Sequence, residues 1–296
     1  MRSCSRSSGR AGAGPAATLL SALALAAILA LPGCARTAGV PPDRAPAENL
    51  RAEGLARAVW AEGEDLRTFA VRGDANYLSG NGRRFFRFEL VCERPGSLLF
   101  TARDPFGQPA FRLAVADGYL RAADYLGRAY YAGEARGGAL ELLLPLPLEA
   151  EGLLAALSGS LPFEPGRAEA LAPLPTGEGE ALFLAYPAAG GGAPLRVSVS
   201  GAAPWDSASW KTLRSVSRGS ARDPDFQARY GRWEPAPRDD RGGALRLFPR
   251  TVAASWRHGG GTHGLELSYR EVSLGFTPPE SVFVLERPEG FSLQPI

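Results

Sequence analysis

The feature that most constrains this chain is a change of hydrophobic period near residue 66. From there Leu66-Arg67-Thr68-Phe69-Ala70-Val71-Arg72-Gly73 alternates apolar with polar. After Ser79-Gly80-Asn81-Gly82, the alternation resumes in Arg83-Arg84-Phe85-Phe86-Arg87-Phe88-Glu89-Leu90-Val91. A period of two sends successive side chains to opposite faces, which an α-helix cannot do. Asn-Gly between two such runs predicts a tight hairpin. Further strands are expected at Ser97–Arg103, Ala110–Ala116, Tyr119–Asp124 and Arg128–Gly133, separated by Pro, Gly or Asp turns. Those connectors are too short for parallel crossovers, so the strands form an antiparallel meander.

Two segments break the pattern. Before it, Glu48 to Asp65 reads as a helix with Leu50, Leu55, Val59 and Trp60 on one face. In its middle, Leu142–Leu161 predicts an unusually apolar helix. Pro147 suits a first helical position, Glu149 and Glu151 suit the positive end of the helix dipole, and Gly159 ends the run. Leu153, Leu154 and Leu157 make its apolar stripe. Strand patterns return at 181–185, 195–200, 228–234, 245–256 and 265–276, with a last pair near 282–285 and 291–293. Glu164–Gly179 and Pro235–Gly243 read as loops, and Trp205–Pro224 mostly as loop. The fold class expected is mainly β (α+β), one domain over residues 48–296.

The first 34 residues have another character. Arg2, Arg6 and Arg10 precede an apolar run from Ala16 to Leu31, too short and too rich in small residues for a comfortable membrane span. The run closes on Leu31-Pro32-Gly33-Cys34, which resembles the lipobox of bacterial lipoprotein signal peptides. The resemblance implies a signal peptide over 1–33, cleavage before Cys34, and palmitate-type acyl chains on that cysteine. Ala35 in place of an aspartate after the cysteine implies the outer membrane, on its periplasmic face. Each buried CH₂ contributes about 0.8 kcal/mol, so two or three chains anchor a protein nearly permanently. Residues 34–47, rich in Pro, Ala and charge, read as the lipidated cysteine and a flexible tether.

Removing the three leader arginines takes the net charge from +2 to −1, so a nucleic-acid partner has no electrostatic support. Beyond Cys34 the mature chain keeps only Cys92, which excludes an internal disulfide and reads as a small buried hydrophobe in a strand.

The order of elements resembles the LolA/LolB-like lipoprotein-carrier superfamily, over about Leu66 to Phe291. Three segments carry the resemblance: Asp104-Pro105-Phe106-Gly107-Gln108-Pro109, similar to a turn after the third strand; Tyr131-Ala132-Gly133 leading to the Leu144–Gly159 helix; and the closing strands from Leu265-Glu266-Leu267-Ser268-Tyr269 through Phe283 to Gly290. It implies a strongly curved antiparallel sheet (a half-barrel), with the leading helix and the central apolar helix on its concave side. It also implies an apolar groove for lipid or lipoprotein acyl chains. Candidate groove residues are Phe86, Phe88, Leu99, Phe111, Leu113, Leu153, Leu154 and Leu157, and plain core packing accounts for any one of them equally well.

Signals for chemistry are few. His258-Gly259-Gly260-Gly261-Thr262-His263 superficially resembles an esterase oxyanion segment, but no Gly-x-Ser-x-Gly elbow occurs, and a glycine-rich hairpin loop explains it. Two histidines without acids or thiolates at ligand spacing make a poor metal site. Gly80-Asn81-Gly82 and Gly177-Glu178-Gly179 complete no phosphate loop. Arg83, Arg84 and Arg87 suit a solvated sheet face as well as lipid phosphates. No catalytic residue, metal or cofactor is expected. Three readings follow: a non-catalytic, membrane-anchored binder of acyl chains in outer-membrane biogenesis; a structural or assembly component that contacts envelope proteins; and a hydrolase centred on His258 or His263.

Overall fold

The computed structural model describes residues 46–80, 82–135, 139, 143, 148–172, 179–189, 192–201 and 211–296. The expectations for the leader, Cys34 and the tether up to residue 45 lie outside the described residues. Helix α1 spans Pro46–Asp65 and is followed by strands β1 (Thr68–Ser79), β2 (Gly82–Glu93), β3 (Ser97–Arg103), β4 (Pro109–Ala116), β5 (Tyr119–Asp124) and β6 (Ala129–Glu134). Helix α2 (Ala150–Ser158) leads into β7 (Pro165–Ala170), β8 (Gly179–Pro187), β9 (Leu195–Gly201), β10 (Lys211–Gly219) and β11 (Pro224–Arg238). Strands β12 (Ala244–His258), β13 (Gly261–Leu274) and β14 (Ser292–Pro295) complete the chain.

All fourteen strands belong to one curved, open sheet in the order β14-β6-β5-β4-β3-β2-β1-β13-β12-β11-β10-β9-β8-β7. Neighbours pair antiparallel, as expected, except β14, which runs parallel to β6 with Leu293 opposite Tyr130. The β12–β13 turn is Gly259-Gly260, at φ 58° and 77°. Two left-handed residues are what a twist-matched two-residue hairpin requires, so the glycine run between the histidines is a turn.

The helices lie against the concave face, where one continuous core joins them to strands β1–β13. The buried stripe of α1 is Ala52, Leu55, Ala56 and Val59, spaced three and four apart, while Leu50 is 67% exposed. Leucine size misled the sequence reading here: small alanines let α1 approach the sheet closely. Asn49 at its start accepts a hydrogen bond from the Ala170 amide, satisfying a donor of the edge strand β7 (3.2 Å).

The last turn of α1 carries no basic residue of its own, and the sheet supplies them. Arg246 donates to the Glu62 carbonyl, and Arg238 to the Asp65 carbonyl (2.9 Å) and carboxylate as well as to Asp240. These guanidinium groups meet carbonyls that no helical amide can reach, at the negative end of the dipole. Burial pulls Arg246 down to about 10, still charged at neutral pH. Arg94, from the turn after β2, joins Glu64 to Ser160 and so ties the end of α1 to the end of α2 (2.8 and 2.6 Å).

A smaller core sits on the outer face, where Leu285 and Phe291 cover Ala114, Ala123 and Tyr130. The expected strand at 282–285 is instead a 3-10 turn, Glu280–Phe283. Two regions expected to be loops are strands: β7, within 164–179, and β10, within 205–224. Pro235 and Pro237, read as loop, extend β11 to Arg238. They are tolerated because that stretch of β11 pairs with β12 on one side, while its pairing with β10 ends at Arg229.

Candidate functional site

Helix α2 starts at Ala150 with Glu149 as its cap residue, three residues later than Pro147 suggested. It ends at Gly159, in the left-handed conformation (φ 71°), whose amide bonds the Ala155 carbonyl. Leu153, Leu154 and Leu157 face the sheet and are buried in the main core. The Leu157 carbonyl, left over at the helix end, accepts a hydrogen bond from the Tyr269 hydroxyl of β13 (3.0 Å).

The opposite flank of the same helix borders a half-open cavity of 520 Å³. Gly152 and Ala156 form its helical wall, and Pro162 and Phe163 close the end beyond the helix. The sheet wall is Leu195 on β9, Val216 on β10, and Phe226 and Tyr230 on β11. Polar groups at its border are Glu149, Glu151, Ser160 and Arg218. Burial, followed by the neighbouring Glu64 charge, raises the Glu151 carboxyl above its usual range. Clefts of about 300–1,000 Å³ are the usual size for small-molecule binding, and a little over half of this one's lining is apolar.

The cavity forms here because the strands opposite α2 offer small or flat surfaces. Register places Val216 across from Ala228, and Phe226 across from Arg218, so the concave face thins between Phe226 and Tyr230. Glycine and alanine on the facing helix flank leave the gap unfilled.

Of the residues singled out from sequence, Phe88, Leu113, Leu153, Leu154 and Leu157 are buried in the main core, with Phe86 and Phe111 partly exposed against it. Phe88 stacks on Phe100 and meets Tyr269 edge-on, at ring distances of 6.1 and 5.9 Å. Leu99 stands apart, on the outer face in the smaller core. In the run Leu98-Leu99-Phe100 all three residues are apolar, so alternation could not tell which pair points inward. None of the eight lines the cavity, whose sheet wall comes from β9–β11 rather than from β2–β4. The signals were Phe226 and Tyr230 in a strand pattern, and Gly152 and Ala156 on the less conspicuous side of the leucine stripe.

The histidine segment has a local explanation. Tyr77 on β1 bonds His263 Nδ1 (2.8 Å), and the His263 ring stacks on Trp256 with centroids 5.9 Å apart. Its described polar partner is thus a phenol, with no serine, threonine or cysteine bonded to the ring. Among the described residues, no group of three or more His, Cys, Asp or Glu is placed to hold a metal ion, and no helix is long and apolar enough to cross a membrane. Cys92 is fully buried, and burial pushes its thiol well above the usual range, as a packing residue requires. Arg83, Arg84 and Arg87 are exposed, Arg83 pairing with Glu266 (2.9 Å).

No protein-family model matches the chain, and no curated protein is similar to it in sequence. Among solved structures it is similar to a domain assigned to outer membrane lipoprotein sorting from Vibrio parahaemolyticus: 10% identity, 79% of this chain and 96% of that one, TM-score 0.48. It is also similar to a LolA superfamily protein from Nitrosomonas europaea (10% identity, 78% and 97%, TM-score 0.46). A third is a DUF1329 family protein from Desulfovibrio piger (8% identity, 80% and 97%, TM-score 0.49). This chain shares little sequence with any of the three. Its architecture, read from its own strands, is the curved sheet with helices on the concave side that the sequence resemblance implied.

Proposed function

We propose that this protein is a lipoprotein of the outer membrane's periplasmic face, anchored through acyl chains on Cys34, that binds acyl chains of lipids or lipoproteins without catalysis. The observation that carries the reading is the half-open cavity between α2 and β9–β11, with Phe163, Leu195, Val216 and Phe226 in its lining. An acyl chain of about sixteen carbons buried there would gain on the order of 10 kcal/mol gross. Extraction from the membrane offsets most of that, so the chain is exchanged rather than trapped. The lipobox-like Leu31–Cys34 supplies the anchor in this reading, and no nucleic-acid or metal partner enters it.

A fluorescent fatty-acyl probe tests the cavity directly. The mature domain lacking Cys34 should bind it, and Ala156→Trp, which fills the space from a half-buried helix position, should weaken binding at least tenfold while leaving the melting temperature within a few degrees. Equal binding by both proteins would put the acyl chain elsewhere. The second reading, an assembly component contacting envelope proteins, is favoured by the exposed Phe106 and Leu126 at adjacent turns and by the edge strand β14, whose four residues are all exposed. It is the one to pursue if the domain binds no probe.

A further inference from the structure

Resting on the acyl-chain reading of the cavity, we infer that Tyr230 is its polar anchor: its phenol donates a hydrogen bond to the carbonyl oxygen joining a bound acyl chain to its headgroup, so the site selects acyl esters over bare hydrocarbon. Three of the described tyrosines are buried, Tyr130, Tyr230 and Tyr269, and two of these, like the half-buried Tyr77, have hydrogen-bond partners. Tyr77 meets His263, Tyr130 donates to the Leu285 carbonyl (2.7 Å) and Tyr269 to the Leu157 carbonyl (3.0 Å). Tyr230, 6% exposed, is the buried tyrosine whose hydroxyl has no hydrogen-bond partner among the described residues, and its side chain lines the cavity. A phenylalanine would pack as well there without an unpaired hydroxyl, and buried polar groups in native proteins are nearly always satisfied. A ligand that arrives with an acceptor supplies what is missing.

The donor is neutral. Burial alone pushes the phenol far above its ordinary range, so it stays protonated at any physiological pH. That suits an ester or amide carbonyl better than an ionised carboxylate, which would need a cation beside it. Arg218, the cation on the cavity border, lies across from Phe226, four residues along β11 from Tyr230, so its backbone is about 13 Å from that of Tyr230.

The test compares matched probes that differ only at the carbonyl: a lysophospholipid with one palmitoyl ester against its hexadecyl ether, and a synthetic diacylglyceryl-cysteine peptide against its dialkyl counterpart. The domain should bind the ester of whichever class it takes about tenfold tighter than the ether, the factor that one such hydrogen bond provides. Tyr230→Phe should lower ester binding to the ether level, leave ether binding unchanged, and leave the melting temperature unchanged or raised. A variant that weakens both equally, or neither, overturns the inference while the acyl-chain reading stands. If the native domain binds no probe of either class, the acyl-chain reading itself falls. The class bound tells a phospholipid from a lipoprotein source.

Discussion

Replacing Tyr269 by phenylalanine removes one oxygen from the middle of the protein and should be felt throughout it. Its hydroxyl reaches the Leu157 carbonyl (3.0 Å), one of the four carbonyls that α2 cannot bond internally. Tyr269 is 4% exposed and Leu157 8%, so no water can take over. The phenyl ring keeps its contacts with Phe88 and Phe248, at ring distances of 5.9 Å each, so the loss is the hydrogen bond alone. Leaving a buried carbonyl unpaired costs about 1–3 kcal/mol. In a domain of this size that is a drop of about 2–10 °C in melting temperature. Scanning calorimetry on Tyr269→Phe beside Tyr230→Phe gives an internal control, because the second change deletes a hydroxyl that bonds nothing. Equal losses in the two variants, or no loss in Tyr269→Phe, would refute the reasoning that α2 is held at its end by this bond.

Arg238→Ala should destabilise by about 2–4 kcal/mol in urea unfolding. It strips the Asp65 carbonyl and carboxylate and Asp240 of a guanidinium that is 4% exposed, although both aspartates are more than a third exposed and recover some solvation. Alkaline pH should destabilise the protein. Cys92, Tyr230 and Tyr269 have folded values raised by burial, so each is neutral in the folded state while it ionises in the unfolded chain from about pH 9–10. The stability is complete below that range and falls as pH rises through it, by about 1.4 kcal/mol per pH unit per group, as unfolding curves between pH 8 and 11 would register. Cys34→Ala should move the protein from the membrane fraction to the soluble periplasmic extract; unchanged fractionation would remove lipid on that cysteine as the anchor.

The meander from β1 to β6 was legible because every strand is bracketed by turn residues and β1 and β2 alternate, although the apolar run Leu98-Leu99-Phe100 hid which face of β3 points inward. Gly159 and Gly259-Gly260 marked a helix end and a hairpin for the same conformational reason. Strand β10 was not legible: Lys211–Gly219 offers only Leu213 and Val216 as buried apolar residues, and the register shift between Leu213 and Ser215 breaks even their alternation. Strand β7 begins at a proline and holds a glycine, so it reads as loop until an existing edge gives it a partner. The site was legible by half. The apolar helix was visible, but its leucines announce the packed side, while a cavity is made by residues too small to fill it. Gly152 and Ala156 give no signal until β9–β11 are known to face them.

The most direct test of acyl-chain binding is native mass spectrometry, with lipid extraction, on the mature domain lacking Cys34 and purified from bacterial membranes. The expected result is a protein mass carrying one phospholipid or acylated peptide, absent from Ala156→Trp. A clean ligand-free mass, unchanged after incubation with either class of acyl ester, would contradict it.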